Sequence, residues 1–360
     1  MRSLRSVSPR LTSPRLLSMR LPSPRPARLR RAPALAAGLL AVALAATGCG
    51  TGSAATEDSP AVPATASGAG FPVVVDNCGT EVEVAAPPQR IVTVKSTATE
   101  LVLSLGLGEK LVGTAFNDGP LPDALADDGA DVPQISEAVP SQEAVLELEP
   151  DLVFAGWESV FAADGAGERD SLAGFGVASY VAPSACQGEG YKPATLAFED
   201  VFDDIREAGR LFDAEDAAEA LVASQQELLD GVDPVEGAPT ALWYSSGTDT
   251  PYVGAGSGAP AMMMEQLGME NIAGDVDDTW TSLGWETIVE RDPEVIILVD
   301  AQWNTAEDKI ARLESNPATA GMQAVESGAY LRLPFAASEA GVRNAEAVVD
   351  LADQYGSLDR

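Results

Sequence analysis

Histidine is absent from the 360-residue sequence, and basic residues are scarce. Because histidine is the commonest general base and transition-metal ligand, its absence excludes Ser-His-Asp hydrolysis, zinc-protease motifs and His-ligated haem. We expect no catalytic residue, no resident metal and no cofactor. Nine of the 22 Lys and Arg residues lie in the first 31 positions, which leaves 13 against 55 acidic residues, a net charge of −42. So acidic a surface excludes nucleic acid and anionic lipid as partners.

A hydrophobic run long enough to cross a bilayer is also lacking. The Arg-rich start leads into "APALAAGLLAVALAATG", which is shorter than the roughly 20 residues that a span requires. This pattern predicts a secretory signal peptide over residues 1–48, with an uncleaved membrane anchor as the alternative. The following "AATGCG" resembles a bacterial lipobox, although Ala46 stands where Leu is usual. The resemblance implies a lipidated Cys49 that anchors the chain to the outer face of the cell membrane.

Residues 49–70 are small, polar and interrupted by proline, which predicts a disordered tether. Only three cysteines occur in the sequence. With Cys49 assigned to lipid, Cys78 and Cys186 remain in an oxidising compartment, which favours a disulfide between them. Two buried free thiols are the alternative.

From Arg90 onwards, short β-branched runs alternate with helical patterns, as in "RIVTVK" followed by "STATELVLSLG". This alternation predicts α/β architecture with mostly parallel sheets. A long helical pattern separates two such series. We therefore predict an α/β lobe at residues 71–212, a linker helix at 213–232 and a second, similar lobe at 233–360.

One motif occurs in both predicted lobes. "PSQEAVLELEPDLV" covers residues 140–153, and "LGWETIVERDPEVI" covers residues 283–296. Each copy places a glutamate, Glu143 or Glu286, in the first turn of a helix, shortly after the cap candidates Ser141 and Gly284. Interaction with the helix dipole, about 0.3–1 kcal/mol, explains either glutamate alone. It does not explain matched placement in two lobes, which suits a partner with two-fold symmetry.

Three stretches, "PPQRIVTVKSTATELVLSLGLGEKLVGTAF", "EAVLELEPDLV" and "WETIVERDPEVIILV", resemble the substrate-binding proteins of ABC importers for siderophore-bound iron, cobalamin and related large ligands. The resemblance implies a monomer of two lobes joined by one rigid helix. It also implies that Glu143 and Glu286 contact arginine pockets on an ABC permease dimer, which works with a cytoplasmic ATPase. An extracytoplasmic enzyme that uses two carboxylates is the alternative of a different class.

In such folds the ligand lies beyond the carboxyl ends of the strands. This rule selects polar and aromatic residues that follow the predicted strands, with Lys95 as the cation that faces an acidic ligand. The candidate ligand-binding residues are Lys95, Ser96, Thr97, Phe116, Asn117, Trp157, Tyr244, Ser245, Tyr252, Trp280 and Trp303.

Two further stretches bear on the ligand. "TVKSTATELVLSLGLGEKLVGTAF" and "GWESVFAADGAGERDSLAGFGV" resemble an actinobacterial subgroup that binds a deazaflavin precursor, which is aromatic and carries a phosphodiester and a carboxylate. Ferric siderophore or cobalamin is the alternative. The glycine run "YVGAGSGAP" is interpreted first as a loop and second as an anion site. The acidic loop "NDGPLPDALADDGAD" lacks the pattern of a calcium loop, so we interpret it as solvated.

Overall fold

The strands and helices follow the alternation expected from the sequence. The computed structural model describes residues 70–358, which belong to one compact unit. The predicted signal peptide, Cys49 and all but the last residue of the predicted tether lie outside the described residues. Among the described residues, no helix is both long and apolar enough to cross a membrane.

Thirteen strands occur in residues 70–358, and they are numbered here in chain order. They are β1 (Val73–Asn77), β2 (Thr80–Val84), β3 (Ile91–Val94), β4 (Leu111–Ala115), β5 (Gln134–Ser136), β6 (Leu152–Ala155), β7 (Ala178–Val181), β8 (Thr240–Ser246), β9 (Tyr252–Gly254), β10 (Glu270–Asn271), β11 (Trp280–Ser282), β12 (Val295–Asp300) and β13 (Tyr330–Pro334).

Eleven α-helices occur in the same described part of the chain. They are α1 (Ser96–Ser104), α2 (Asp123–Gly129), α3 (Gln142–Leu146), α4 (Arg169–Gly174), α5 (Phe198–Phe212), α6 (Glu215–Asp230), α7 (Ala259–Gln266), α8 (Trp285–Arg291), α9 (Ala306–Ser315), α10 (Gln323–Ser327) and α11 (Asn344–Gly356).

The strands form two central sheets and one hairpin. The first sheet has the order β5-β4-β3-β6-β7 and is parallel throughout. All four residues of its central strand β3 are buried, as expected for a parallel sheet that helices cover on both faces. The second sheet has the order β11-β9-β8-β12-β13, with β10 beside β8, and its strands β9 and β11 are antiparallel to their neighbours. We call each sheet with its helices the first or second lobe.

Two helices lie between the two sheets. Helix α5 ends at Phe212, because Asp213 adopts a left-handed conformation with φ of 59°, and α6 starts at Glu215. Helix α6 packs against α5 on one side and against α11 of the second lobe on the other. Gly209 permits the close approach of α5 and α6, since a Cβ atom there would lie 2.5 Å from the Cβ of Ala218.

The duplicated motif has the same folding role in each lobe. The residue before its proline, Glu149 or Asp292, adopts a left-handed conformation that ends the turn after the helix. The acidic residue after the proline then binds the start of the first strand of its own lobe. Asp151 accepts hydrogen bonds from the Gln89 and Arg90 N–H groups at 2.7 and 3.0 Å, and Glu294 accepts one from the Thr240 N–H group at 3.0 Å.

Two polar contacts join the lobes away from the linker helices. Glu100 in α1 accepts two hydrogen bonds from the guanidinium of Arg343, at 2.6 and 2.5 Å, and both side chains are nearly buried. The Leu196 N–H group donates to the Ser257 carbonyl oxygen at 2.9 Å. These contacts join the two lobes directly, in addition to the linker helices.

Candidate functional site

A cavity of about 480 Å³ lies between the lobes. Its first-lobe wall comes from the segments after β6 and β7, and its second-lobe wall comes from β8, the segment before α7, and the residues that follow β12 and β13. The cavity therefore lies mainly where strands end, as the general rule for open α/β sheets predicts. Its aromatic lining consists of Trp157, Tyr252, Trp280, Trp303 and Phe335.

Five of the eleven predicted ligand-binding residues line this cavity. They are Trp157, Ser245, Tyr252, Trp280 and Trp303. The other six, Lys95, Ser96, Thr97, Phe116, Asn117 and Tyr244, are absent from its lining. Of these six, Lys95, Ser96, Thr97 and Tyr244 are buried, and Phe116 and Asn117 are partly exposed.

The structure contradicts the prediction that Lys95 faces an acidic ligand. Its side chain is 0% exposed, and its ammonium forms an ion pair with Asp118. The same ammonium lies 3.7 Å from the ring centroid of Trp157, 4.8 Å from that of Phe116 and 5.2 Å from that of Phe335. Cation–π contacts and the carboxylate thus compensate for its burial. The Lys95 charge is neutralised inside the wall and is not presented to the cavity.

The backbone adopts an unusual conformation at Lys95 and at its neighbour in the wall, Phe116. Lys95 has φ of 85° and Phe116 has φ of 51°, which is unusual for residues with a side chain. Both follow adjacent parallel strands, β3 and β4. Such strained residues cluster at ligand sites when the surrounding structure fixes them. Here the Lys95 ammonium lies over the rings of both Phe116 and Trp157.

Three other candidates outside the lining, Ser96, Asn117 and Tyr244, form hydrogen bonds within their own lobes. Ser96 Oγ accepts from the Asp118 N–H group at 2.8 Å, which orients the carboxylate that pairs with Lys95. Asn117 Oδ1 accepts from Thr114 Oγ1 at 3.0 Å. Tyr244 donates its hydroxyl to the Gly247 carbonyl oxygen at 2.5 Å. These hydrogen bonds fix the three side chains within their lobes, and ligand contact by them stays a prediction.

The two lobes meet directly in the cavity wall. Trp157 Nε1 of the first lobe donates a hydrogen bond to Glu339 Oε2 of the second lobe at 2.5 Å. Desolvation raises the pKa of Glu339, while the Lys95 charge and the Trp157 hydrogen bond act in the opposite direction. Glu339 therefore joins the buried Lys95 cluster to the surface that a ligand would touch.

Aromatic pairs cover much of the second-lobe wall. Tyr252 and Trp280, on neighbouring antiparallel strands, stack with ring centroids 5.9 Å apart and planes inclined by 17°. Trp303 contacts Phe335 edge to face at 5.9 Å, and Trp303 is 66% exposed. Exposed stacked rings offer flat apolar surface to a large ligand.

Charge in the cavity is of one sign. Among its lining residues, the ionisable carboxylates are Glu158 and Glu339, and no Lys or Arg is present. Within residues 70–358, no group of three Cys, Asp or Glu residues is placed to hold a metal ion. The cavity thus combines aromatic surface with negative charge and offers no fixed cation to an anionic ligand.

Sequence reasoning missed Phe335 and Glu339. Both follow β13, a strand that the pattern analysis did not assign. Its sequence "YLRLP" alternates apolar and polar residues, and the burial of Leu331 and Leu333 against exposed Arg332 matches that alternation. This alternation is the sequence signal for β13, and its recognition would have placed both residues after the end of a strand.

A disulfide supports the rim of the cavity. Cys78, in the turn between β1 and β2, is bonded to Cys186, with Cα atoms 5.3 Å apart. The neighbours of Cys186, Ala185 and Gln187, line the cavity. The hairpin of β1 and β2 is therefore covalently attached to the first-lobe rim.

The two matched glutamates lie at the surface, apart from the cavity. Glu143 is in the first turn of α3, where Ser141 Oγ caps the Ala144 N–H group at 3.3 Å, and Glu286 is in the first turn of α8 after Gly284. Both side chains are exposed. Neither carboxylate has a hydrogen bond or ion pair to another residue of the described range 70–358. Both are thus available to a partner.

Comparisons with known proteins extend over most of the described chain. A sequence profile for the family described as periplasmic binding protein matches residues 91–337. The chain is 26% identical over 248 residues to an uncharacterized ABC transporter substrate-binding lipoprotein of Bacillus subtilis, covering 64% of this chain and 70% of the relative. It is 29% identical over 237 residues to a cobalamin-binding protein of Halobacterium salinarum, covering 63% of this chain and 58% of the relative.

A solved structure agrees with these sequence matches. The crystal structure of an ABC-type Fe3+-hydroxamate transport system from Saccharomonospora viridis superposes with a TM-score of 0.67 at 25% identity, covering 80% of this chain and 100% of that one.

Proposed function

Because the chain belongs to the periplasmic binding protein family and is a substrate-binding protein of an ABC importer, we propose that its cavity captures a large ligand without net negative charge, a corrinoid or a ferric hydroxamate. The observation that carries this proposal is the cavity lining, which has five aromatic rings and two carboxylates but no Lys or Arg.

The absence of a lining cation weighs against an anionic ligand. A charge that leaves water for a partly enclosed site loses hydration, and it needs an opposite charge or several hydrogen bonds in return. Lys95 does not supply that charge, because Asp118 already neutralises it within the wall. A neutral or cationic ligand escapes this penalty and gains contact with the rings.

The names of two relatives fit this chemistry. One is a cobalamin-binding protein, and one is a component of a Fe3+-hydroxamate transport system. The deazaflavin precursor indicated by sequence resemblance is the second candidate, since its flat ring suits Tyr252 and Trp280. Its phosphodiester and carboxylate, however, would share the cavity with Glu158 and Glu339. The charge distribution therefore favours the first candidate.

Delivery to the importer is assigned to the two exposed glutamates. Glu143 and Glu286 occupy equivalent helix starts in the two lobes and have no side-chain partner within the described range. We expect them to contact a basic surface on each of two permease subunits, while the protein remains a monomer. Lipidation of Cys49 would keep the protein on the outer face of the membrane, within reach of the permease.

Ligand binding by the purified mature protein tests the proposal. Quenching of tryptophan fluorescence is measured with cyanocobalamin, with the cationic ferric complex of desferrioxamine B, with an anionic ferric catecholate and with the deazaflavin precursor. We expect saturable binding of one of the first two and none of the anionic chelate. Tight binding of the catecholate or the deazaflavin precursor alone would refute the charge argument.

A further inference from the structure

The second-lobe wall of the cavity contains two serine hydroxyl groups without hydrogen-bond partners, and the hydroxyl of Ser257 is buried. Ser257 is 3% exposed, and its Oγ atom has no hydrogen bond. Ser245 is 4% exposed, and its hydroxyl has no hydrogen bond to any residue between 70 and 358. Both residues line the cavity. A buried hydroxyl without a partner is costly, so Ser257 favours a hydrogen-bonding group on the ligand, and Ser245 offers a second unpaired hydroxyl at the same wall.

The start of helix α7 adds two backbone donors at the same wall. The N–H groups of Ala255, Gly256 and Ser257 donate to the carbonyl oxygens of Thr279, Val276 and Asp278, at 2.9 to 3.1 Å. The N–H groups of Gly258 and Ala259, which come next, have no acceptor among the described residues.

These two free donors are oriented by the start of the helix. Gly258 is the N-cap of the eight-residue helix α7, and both Gly258 and Ala259 line the cavity. The N-terminus of a helix presents unpaired N–H groups and partial positive charge. Most N–H groups of the glycine run thus form hydrogen bonds within the loop, and only the N–H groups of Gly258 and Ala259 are available to a ligand.

We infer that Ser257, the N–H groups of Gly258 and Ala259, and Ser245 form a ligand subsite for an uncharged oxygen acceptor, such as an amide or hydroxamate carbonyl. The inference rests on the proposed function, which supplies the cavity and the ligand class. An uncharged acceptor is favoured because the donors are dipoles rather than cations, and because Glu158 and Glu339 line the same cavity. The subsite fixes the orientation of a ligand whose rings lie on the aromatic wall.

Three serine variants test the subsite with cyanocobalamin and ferric desferrioxamine B as probes. We expect Ser257→Ala to bind the recognised probe about fivefold more weakly, as the loss of one hydrogen bond implies. Ser245→Ala should weaken binding by a similar factor. Ser224→Ala, on the exposed surface of α6 and outside the cavity lining, should bind like the unaltered protein. Unchanged affinity in both Ser257→Ala and Ser245→Ala would overturn the inference.

The stability of the ligand-free protein separates recognition from folding. Removal of an unpaired buried hydroxyl leaves no acceptor or donor behind, so Ser257→Ala should melt at the same temperature as the unaltered protein or higher. Weaker ligand binding together with a lower melting temperature would indicate a structural role and would count against the subsite.

A small probe separates failure of the subsite from failure of the proposed function. Acetohydroxamic acid, which is uncharged at neutral pH, is titrated while the amide resonances of Gly258 and Ala259 are followed by NMR, with inorganic phosphate as the charged comparison. We expect acetohydroxamic acid to shift both resonances more than phosphate does, even if neither large probe binds. A larger response to phosphate would assign an anion site instead, and no response to either would overturn the inference.

Discussion

Trp157 and Glu339, 182 residues apart in the sequence, share a hydrogen bond of 2.5 Å across the two lobes. The ring of Trp157 also lies 3.7 Å from the Lys95 ammonium. The Trp157 side chain thus contacts the cavity, Glu339 of the opposite lobe and the buried Lys95 ammonium. Ligand contact and lobe contact are therefore coupled at this residue.

Trp157→Phe retains an aromatic ring but removes the indole N–H donor. We expect the free energy of unfolding to fall by about 2 kcal/mol, because a hydrogen bond to a charged acceptor is lost. Ligand affinity should fall as well. Trp285→Phe is the matched control, since Trp285 lies outside the cavity and donates to the Thr248 carbonyl oxygen at 2.9 Å. Equal losses of ligand affinity in the two variants would contradict a special role for Trp157.

Glu143→Ala combined with Glu286→Ala should abolish delivery to the importer without weakening ligand binding, because both side chains are exposed and lie outside the cavity. The measurement compares uptake by reconstituted importer with the dissociation constant of the free protein. Glu147→Ala combined with Glu290→Ala is the control, since these exposed residues lie near the same helices. Normal uptake by the first pair would exclude the docking role.

Arg343→Met should destabilise the protein by about 3–5 kcal/mol, because it leaves the buried Glu100 carboxylate unpaired. Burial already raises the pKa of Glu100 in spite of its hydrogen bonds to Arg343. In the double variant with Glu100→Met, most of the stability should return, since no unpaired charge remains buried at this position. Denaturant unfolding of both variants checks this expectation, and a double variant no more stable than Arg343→Met would contradict it.

The lowered pKa of Lys309 predicts how the free energy of unfolding depends on pH. Its ammonium is buried and donates to the carbonyl oxygens of Val299 and Asn304 at 2.5 and 2.7 Å. Burial lowers the pKa of Lys309 from 10.5 to about 8. Between these two values the unfolded chain binds more protons than the folded chain, so the contribution of Lys309 to the free energy of unfolding rises with pH.

Lys309→Met provides the reference for this measurement, because every other titrating group remains in that variant. The melting temperature of the unaltered protein, relative to Lys309→Met, should rise from pH 7.5 to pH 9.5. A difference that stays constant or falls over this range would show that the Lys309 pKa is not lowered.

The architecture was predictable because its signals are local. The β-branched run at β3, the helical spacing of α6 and the duplicated motif each occupy a short stretch of sequence. The linker prediction at 213–232 begins at the break between α5 and α6, where Asp213 adopts a left-handed conformation, and it contains all of helix α6.

The site was only partly predictable, because its contacts are distant in sequence. Trp157 and Trp303 follow β6 and β12 and line the cavity, as position after a strand predicts, whereas Trp280 lines it from the first position of β11. The same rule failed for Lys95, because the aromatic rings that cover it come from three separate segments, including Phe335 of the other lobe. No local pattern encodes that burial. Because the sequence prediction did not assign β13, it identified neither Glu339 nor its hydrogen bond with Trp157 across the lobes.

The duplicated corners have a mechanical consequence. Asp151 and Glu294 each bind the chain at the start of the first strand of their own sheet, so helices α3 and α8 are attached rigidly to separate lobes. The spacing between Glu143 and Glu286 can then change only when one lobe rotates against the other. A permease that binds both carboxylates at once would therefore respond to any rotation of one lobe against the other, without contacting the ligand.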